Sequence, residues 1–191
     1  MKRRVSIRRI EQSGLSDMLE RYTFASYTTI FPEQAKIRSK ALEFCESNAE
    51  CFVICGRSGS GKSHICTAIC GELMDRGKNV KYMLWRSEAA ELKGIVNDPA
   101  YQDRLRTLRT VDVLYIDDFW KGTVSDADVN LAFTILNDRY NYRGKKTIIS
   151  TEMSIEAILG RDEAIGGRIA ERAYGFVLQA PNKNIRLEGR H

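Results

Sequence analysis

Five short apolar runs divide the chain, and segments with the apolar spacing of helices separate them. The runs are nearly continuous in Val, Ile, Leu and Tyr, which is typical of strands covered on both faces. They comprise Cys51–Cys55, Val80–Trp85, Val111–Ile116, Thr147–Thr151 and Phe176–Gln179. This alternation of strand and helix predicts an α/β fold with a central five-stranded parallel sheet flanked by helices.

Capping residues mark where several of the predicted helices begin and end. Gly77 is a C-terminal cap for the helix after the first strand, and Ser125 with Asp128 forms a capping-box pattern. The predicted helices between the strands are Lys62–Arg76, Ser87–Val96, Asp126–Tyr142, Ser154–Leu159 and Ala164–Tyr174. Two more, around Leu15–Arg21 and Pro32–Cys45, form a helical lead-in to the first strand.

The net charge of +5 is concentrated at one end of the chain. The first ten residues contain five basic side chains and no acidic one, and the remainder carries equal numbers of both signs. A site for a polyanion is therefore either this basic arm or a local patch in the body. At 191 residues and 43% hydrophobic, the chain is long enough for one domain with a full core.

The apolar runs and the cysteines indicate the compartment. No run approaches the ~20 residues of a membrane span, and the start MKRRVSIRRI lacks the apolar stretch of a secretory signal. We therefore expect a cytoplasmic protein with no membrane partner. Cys45, Cys51, Cys55, Cys66 and Cys70 lie mostly in apolar runs at a spacing that few zinc sites use, so reduced core thiols are favoured over a metal site.

A phosphate-binding loop follows the first strand. Residues Gly56–Ser63, GRSGSGKS, fit the pattern G-x-x-x-x-G-K-[ST] between an apolar strand and a helix. Glycines let backbone N–H groups approach triphosphate oxygens, and the helix that follows points its positive end at them. Lys62 adds a charge at the β/γ oxygens, and Ser63 supplies a hydroxyl to Mg²⁺. The predicted nucleotide-binding residues here are Gly56, Arg57, Ser58, Gly59, Ser60, Gly61, Lys62, Ser63 and His64.

Two carboxylates, Asp117 and Asp118, end the third apolar run. In a parallel sheet the carboxyl ends of neighbouring strands face one crevice, so Asp117 is expected to reach the Mg²⁺ at Ser63, directly or through water. Asp118 is expected to orient or deprotonate the attacking water. The sequence does not support GTP specificity, because residues 182–185, NKNI, lack the acidic residue of the N-K-x-D motif that GTPases use. ATP/ADP with Mg²⁺ is therefore the predicted ligand set.

From about Leu15 to the C-terminus the chain resembles the AAA+ ATPase domain of DnaC/DnaI-type replicative helicase loaders, in particular their phage and mobile-element versions. The motifs that carry this resemblance, in order, are GRSGSGKSH, LYIDDFWKG, TIISTE and GGRIAERAYG, with Thr23-Phe24 and Tyr27 ahead of the core. IstB-type transposition ATPases are close relatives. The resemblance implies a basic arm and helical lead-in over residues 1–45 and an AAA+ domain over 46–191. Because the chain ends at His191, no C-terminal helical lid is expected.

The resemblance also implies roles for residues in the second half of the chain. The strand Thr147–Thr151 would lie between the phosphate-loop strand and the acidic strand. Glu152 stands where the family carries an Asn that contacts the γ-phosphate, so Thr151 is the candidate hydroxyl there, and a plain strand-end turn is the alternative. Arg168 matches the arginine finger that a neighbouring subunit supplies, with Arg172 as the substitute. A solvated helix face is the alternative for both arginines.

Partners are likewise implied by the resemblance: the replicative helicase, single-stranded DNA and further copies of the chain in an ATP-dependent homo-oligomer. The DNA contacts would lie in residues 86–109, although an amphipathic helix pair explains that segment equally well. The candidate DNA-binding residues are Lys93, Arg104, Arg106, Arg109 and Tyr101. Arg186 is a candidate for a further nucleotide contact.

The function predicted from these features is a Mg-dependent ATPase that loads the replicative helicase during DNA replication. An IstB-like transposition accessory ATPase is the first alternative, because it shares the nucleotide site and differs in its partner. A small-molecule P-loop kinase is the second, and it would need a mobile Arg-rich lid. A nucleotide-gated binding module without hydrolysis also stays open.

Overall fold

A computed structural model of the chain describes residues 13–183 and 185, and its centre is one five-stranded sheet. The strand order is β2-β3-β4-β1-β5, and every neighbouring pair is parallel. The strands are β1 (Cys51–Cys55), β2 (Val80–Leu84), β3 (Val113–Phe119), β4 (Lys146–Thr151) and β5 (Val177–Gln179). The predicted five-stranded parallel sheet is confirmed, and β4 lies between β1 and β3 as the resemblance implied.

Helices cover both faces of this sheet. Ser154 and Asp162 cap two of them, accepting hydrogen bonds from the backbone N–H groups of Ala157 (3.2 Å) and Ile165 (2.8 Å). The helices are α1 (Ser16–Leu19), α2 (Pro32–Glu46), α3 (Lys62–Asp75), α4 (Trp85–Gly94), α5 (Ala100–Thr110), α6 (Asp126–Asn141), α7 (Ile155–Arg161) and α8 (Glu163–Arg172). Among the residues that the structure describes, no helix is both long and apolar enough to cross a bilayer.

The sheet separates two apolar cores, which explains why the strands lack polar alternation. One core joins the sheet to α4–α8, and the other joins it to α1–α3. All five cysteines are free thiols and buried in these cores. Burial raises the pKa of the Cys51 thiol to about 12 and that of Cys55 to about 11, so these thiols stay protonated.

The acidic strand runs further than its apolar pattern predicts. The apolar run stops at Ile116 and the two carboxylates that follow are expected to end the strand, yet β3 continues through Phe119 because Phe119 pairs with Thr151 of β4. Between these partners and the pair Ile116–Ile149 the register shifts by one residue. Two residues of β3, Asp117 and Asp118, therefore lie opposite Ser150 alone, which is the geometry of a β-bulge.

A buried arginine fixes the opposite, amino-terminal edge of the sheet. Arg139 of α6 is only 4% exposed, and its guanidinium donates to the carbonyls of Leu108, Val111 and Lys146 and to Thr147 Oγ1. Burial lowers its pKa to about 10, so the side chain remains charged at neutral pH. These bonds tie α6 to the segments that lead into β3 and β4. The predicted basic arm, Lys2–Arg9, and Arg186 lie outside the described residues.

Candidate functional site

The phosphate loop connects the carboxyl end of β1 to the start of α3. At Gly56 an added Cβ would lie 2.8 Å from Ala180 Cβ, and Gly61 has a φ of 89°, so both positions require glycine. The loop opens into a cleft of about 350 Å³, named the phosphate cleft below. The predicted residues that line it are Ser58, Gly59, Gly61, Lys62, Ser63, His64 and Asp118.

Lys62 is held inside the loop rather than in solvent. Its side chain belongs to a residue only 5% exposed, and Nζ donates to the carbonyls of Gly56 (2.7 Å) and Arg57 (2.9 Å). Burial lowers its pKa, and the nearby carboxylates, Asp118 first among them, oppose that shift. A phosphate oxygen would replace neutral carbonyls as the acceptor, which forms a stronger, charge-assisted hydrogen bond.

Two predicted loop residues have other tasks. The Arg57 side chain is exposed and donates to Asn182 Oδ1 at 3.4 Å, which ties the loop to the segment after β5. Ser60 is buried, and its hydroxyl donates to the Arg57 carbonyl at 2.8 Å. Neither side chain lines the phosphate cleft. Any contact of Arg57 or Ser60 with a bound phosphate would therefore come from the backbone N–H groups.

Asp117 is the centre of a hydroxyl network below the loop. It is 6% exposed and accepts hydrogen bonds from Ser63 Oγ and Tyr82 Oη, both at 3.2 Å, and from Ser150 Oγ. Ser63 and Asp117 offer the hard oxygen donors that Mg²⁺ prefers, so the residues present fit that ion. The sequence predicted Ser63 and Asp117 but not Tyr82 or Ser150, because these reach the carboxylate from neighbouring strands.

Asp118 turns into the phosphate cleft because of the bulge. Successive strand residues normally point to opposite faces, yet Asp118 has a φ of 53°, and its backbone N–H donates to Ser150 Oγ at 3.0 Å. Trp120 also has a positive φ, 54°. Two such residues in one segment are uncommon and concentrate at functional sites, where their conformation costs about 1–3 kcal/mol each. The bulge thus brings Asp118 into the cleft, while Asp117 adjoins it through its hydrogen bond with Ser63.

Two residues that line the phosphate cleft, Asp118 and Lys121, belong to an ion-pair triad that the sequence did not predict. Lys121 Nζ lies 3.1 Å from Asp118 Oδ2 and 3.0 Å from Glu152 Oε1. The hydrogen bond to Glu152 is the main cause that raises the pKa of Lys121, so the group is an ammonium. Lys121 lines the cleft together with Tyr22 and Ile185.

Thr151 is placed differently from the expectation for it. Its side chain is fully buried, and its hydroxyl donates to the Phe119 carbonyl at 2.9 Å and accepts from the Met153 N–H at 3.0 Å. Both partners belong to the protein backbone, and Thr151 does not line the phosphate cleft. The hydroxyl of β4 that faces the acidic pair is that of Ser150.

The other end of the cleft carries His64 and the lead-in segment. His64 Nε2 lies 3.0 Å from the Thr23 carbonyl, and its ring lies 4.9 Å from the ring of Tyr22 and 5.1 Å from that of Tyr27. Burial lowers the pKa of His64, so the imidazole is neutral at pH 7. Thr23 and Tyr27 of the motif before the core therefore pack against His64 of the phosphate-loop helix, and the preceding residue, Tyr22, forms part of the cleft wall.

Arg168 lies at the opposite edge of the sheet from its own phosphate loop. It lines a small pocket together with Glu50 and Thr147, which stand at the amino ends of β1 and β4. Its guanidinium lies 5.1 Å from the ring of Phe133 and 5.6 Å from that of Tyr140. This arginine cannot serve the nucleotide of its own subunit.

Arg172 forms structural contacts at the same amino-terminal edge of the sheet. It forms an ion pair with Glu50, donates to the Tyr140 carbonyl and stacks over the Tyr140 ring at 4.4 Å. Of the two arginines, Arg168 is the one without a carboxylate partner within the described residues.

The four candidate DNA-binding cations all pair with carboxylates. Lys93 contacts Asp128 at 2.6 Å, Arg104 contacts Glu88 and Glu91, and Arg106 and Arg109 contact Asp103 and Asp138. Tyr101 is partly buried and packs against the core that joins the sheet to α4–α8. A DNA phosphate would have to displace these carboxylates from the cations. The four side chains are therefore less available to bind DNA than the sequence alone indicates.

Comparison with known proteins places this site in a family. The family described as IstB-like ATP binding protein matches residues 2–173. Phage-like element PBSX protein XkdC of Bacillus subtilis is 33% identical over 76% of the chain, and the replicative helicase loader DnaC of Escherichia coli K12 is 26% identical over 86%. YqaM of Bacillus subtilis, an uncharacterized protein, is 27% identical over the whole chain. The chain spans 64% of YqaM, 56% of XkdC and 68% of DnaC.

Solved structures confirm the AAA+ fold. A crystal structure of the DnaC helicase loader matches with a TM-score of 0.73 at 19% identity, covering 85% of this chain and 98% of that one. DnaI gives 0.73 at 18% identity, covering 86% and 94%. The replication initiator DnaA bound to AMPPCP and single-stranded DNA gives 0.72 at 20% identity, covering 85% and 50%. The resemblance inferred from the motifs is thus confirmed, and the chain belongs to the IstB-like ATP binding protein family.

Proposed function

We propose that this chain binds and hydrolyses ATP with Mg²⁺ and loads the replicative helicase during DNA replication, as an ATP-dependent oligomer in the cytoplasm. The observation that carries the ATPase proposal is the bulge opposite Ser150, which brings Asp118 into the cleft that Lys62 and Ser63 line and leaves Asp117 hydrogen-bonded to Ser63. The relatives named helicase loaders support the biological role.

The described residues divide the chemistry of hydrolysis between them. Ser63 and Asp117 would hold Mg²⁺, which when bound supplies charge at the β/γ oxygens. Tyr82 and Ser150 orient the Asp117 carboxylate through their hydroxyl groups. Lys62 exchanges its two carbonyl acceptors for phosphate oxygens. Asp118 accepts the proton of the attacking water, and the Arg168 of a neighbouring subunit adds the positive charge that the transition state requires.

The partner is tested by a pull-down against the host's replicative helicase. We expect the wild-type chain to retain helicase more strongly with ATP than without it, because nucleotide binding assembles the oligomer. Lys62→Ala removes the charge that faces the β/γ phosphates, so it should lose nucleotide binding and also the ATP-dependent part of the retention. Retention that is absent for the wild type under both conditions would contradict the loader role.

The match to the IstB-like family supports an alternative partner, a transposase. An IstB-like accessory ATPase would retain the transposase of a mobile element in place of the helicase, with the same dependence on Lys62. The same pull-down distinguishes the two roles by the protein that is recovered.

Contact with single-stranded DNA is the second part of the proposal. Successive subunits would align the α4–α5 segments into one track, and several weak contacts in line would gain by avidity. Binding is therefore expected to require a non-hydrolysable ATP analogue, to weaken steeply with salt and to survive deletion of residues 1–10. Fluorescence anisotropy with intact and truncated chains measures this.

A charge-reversed pair of variants localises the DNA contact. Arg106→Glu changes an exposed cation of α5, and Lys36→Glu changes an exposed cation of α2 by the same charge. Only the first should weaken binding, by severalfold. Binding that needs no nucleotide and disappears with residues 1–10 would instead place the contact in the basic arm.

A further inference from the structure

Lys121 is a cation of the phosphate cleft for which the proposed mechanism has no task. It closes the turn after the bulge, where its backbone N–H donates to the Asp118 carbonyl at 3.1 Å. The turn is rigid, since Trp120 is 1% exposed and its ring stacks on that of Phe119 at 4.7 Å. The side chain therefore leaves the backbone from a fixed point and enters the cleft that Lys62 and Ser63 line.

The charges around Lys121 are unfavourable for a triphosphate without it. Asp118 lines the cleft, Glu152 contacts it through Lys121, and Lys121 is the cation between these two carboxylates, at 3.1 and 3.0 Å. A terminal phosphate entering the cleft carries negative charge toward these two carboxylates. ADP would not bring that charge, because its last phosphate stops one position short. The arrangement of one ammonium between two carboxylates could therefore distinguish ATP from ADP by the charge of the γ-phosphate.

Resting on the proposed ATPase function, we propose that Lys121 contacts the γ-phosphate and that this contact frees Asp118 for catalysis. Without a γ-phosphate, the ammonium pairs with the Asp118 carboxylate, which is then not free to contact the attacking water. With a γ-phosphate bound, the ammonium turns to the phosphate oxygens and keeps Glu152 as its second partner. Lys121 then makes binding specific for a triphosphate and permits the water to reach Asp118.

The role of Glu152 follows from the same contacts. It neutralises part of the Lys121 charge and anchors the ammonium at the end of β4 while Asp118 is released. Removing the ammonium leaves Glu152 as an uncompensated negative charge beside the γ-phosphate. Removing the Glu152 charge as well should therefore restore part of the lost affinity for the triphosphate.

The test compares the affinities of fluorescent ADP and a fluorescent non-hydrolysable ATP analogue in the presence of Mg²⁺. Lys121→Met should weaken analogue binding about 10- to 100-fold, as expected for losing a charge-assisted hydrogen bond, and change ADP binding about twofold or less. Lys121→Arg keeps the charge and should keep the preference for the analogue. Lys121→Met with Glu152→Gln should recover part of the loss.

Lys145 provides a matched control at the other end of the sheet. It pairs with Asp112 at 3.3 Å, and the exposure of that pair (26% and 36%) resembles that of Lys121 and Glu152 (33% and 36%). Lys145→Met should leave both affinities unchanged. Thermal unfolding of each variant checks the fold, and Lys121→Gln replaces the Met variant if the latter is unstable.

The outcomes separate this inference from the function on which it rests. An unchanged preference for the analogue in Lys121→Met, or an equal loss of both nucleotides, would overturn the role of Lys121 while leaving an ATP-binding protein. A wild-type chain that binds neither nucleotide would overturn the proposed function itself.

Discussion

Arg168→Ala is expected to lower ATP turnover about 10³- to 10⁵-fold while the nucleotide affinity of a single subunit stays unchanged. The guanidinium lies at the amino-terminal edge of the sheet, beside Phe133 and Tyr140, and the phosphate loop follows the carboxyl end of β1. It can therefore act only on the nucleotide of another subunit. Phosphate release measures turnover, and fluorescent nucleotide titration measures affinity.

Mixing two inactive variants tests this action in trans. Subunits with Arg168→Ala retain an intact cleft, and subunits with Asp118→Asn retain an intact arginine, so mixed interfaces contain one complete site. Turnover should recover in proportion to such interfaces. No recovery between two folded variants would assign Arg168 a structural role instead.

Arg161 offers the control for Arg168. It lies on the preceding helix, α7, and its contacts are the Val124 carbonyl and the exposed Asp126. An exposed ion pair of this kind stabilises the fold by about 1 kcal/mol or less. Arg161→Ala should therefore leave turnover within about twofold, since the contacts of Arg161 involve neither Arg168 nor the residues that line the phosphate cleft.

Asp118→Asn is expected to retain nucleotide binding and to lower turnover about 10²- to 10⁴-fold. An amide cannot accept the proton of the attacking water. The substitution is compatible with the backbone, because Asn tolerates the φ of 53° that the bulge imposes. The loss can therefore be attributed to the carboxylate rather than to a collapsed bulge.

Asp112→Asn is the matched control for Asp118. Asp112 stands at the amino end of β3 and contacts Lys145 and the Asn79 N–H, far from the phosphate cleft. Its pKa lies below the usual value because these hydrogen bonds outweigh the burial of the carboxyl. Its substitution should lower thermal stability without lowering turnover per folded molecule. Normal hydrolysis by Asp118→Asn would show that another group accepts the proton.

The sequence alone predicted the parts of the site that are formed by residues close together in the chain. The phosphate loop, the helix after it and the acidic strand end are local patterns. A parallel sheet brings the carboxyl ends of its strands to one edge, so the sequence alone predicts that Ser63 and Asp117 lie close together. Strand existence was equally predictable, because both faces of the sheet are buried and the strands are continuously apolar.

The tertiary structure alone decided what depends on register and on distant contacts. Ser150 and Thr151 point to opposite faces of β4, and a one-residue bulge in β3 selected Ser150 as the partner of the acidic pair. The pairing of Lys121 with Glu152 joins the ends of two neighbouring strands. Arg168 lies at the opposite edge because α8 packs against α6 and α7, and the sequence motif of α8 does not specify these contacts. Which charged side chains form ion pairs across the sheet depends on the order and register of the strands. A local pattern along the chain therefore does not predict these pairs.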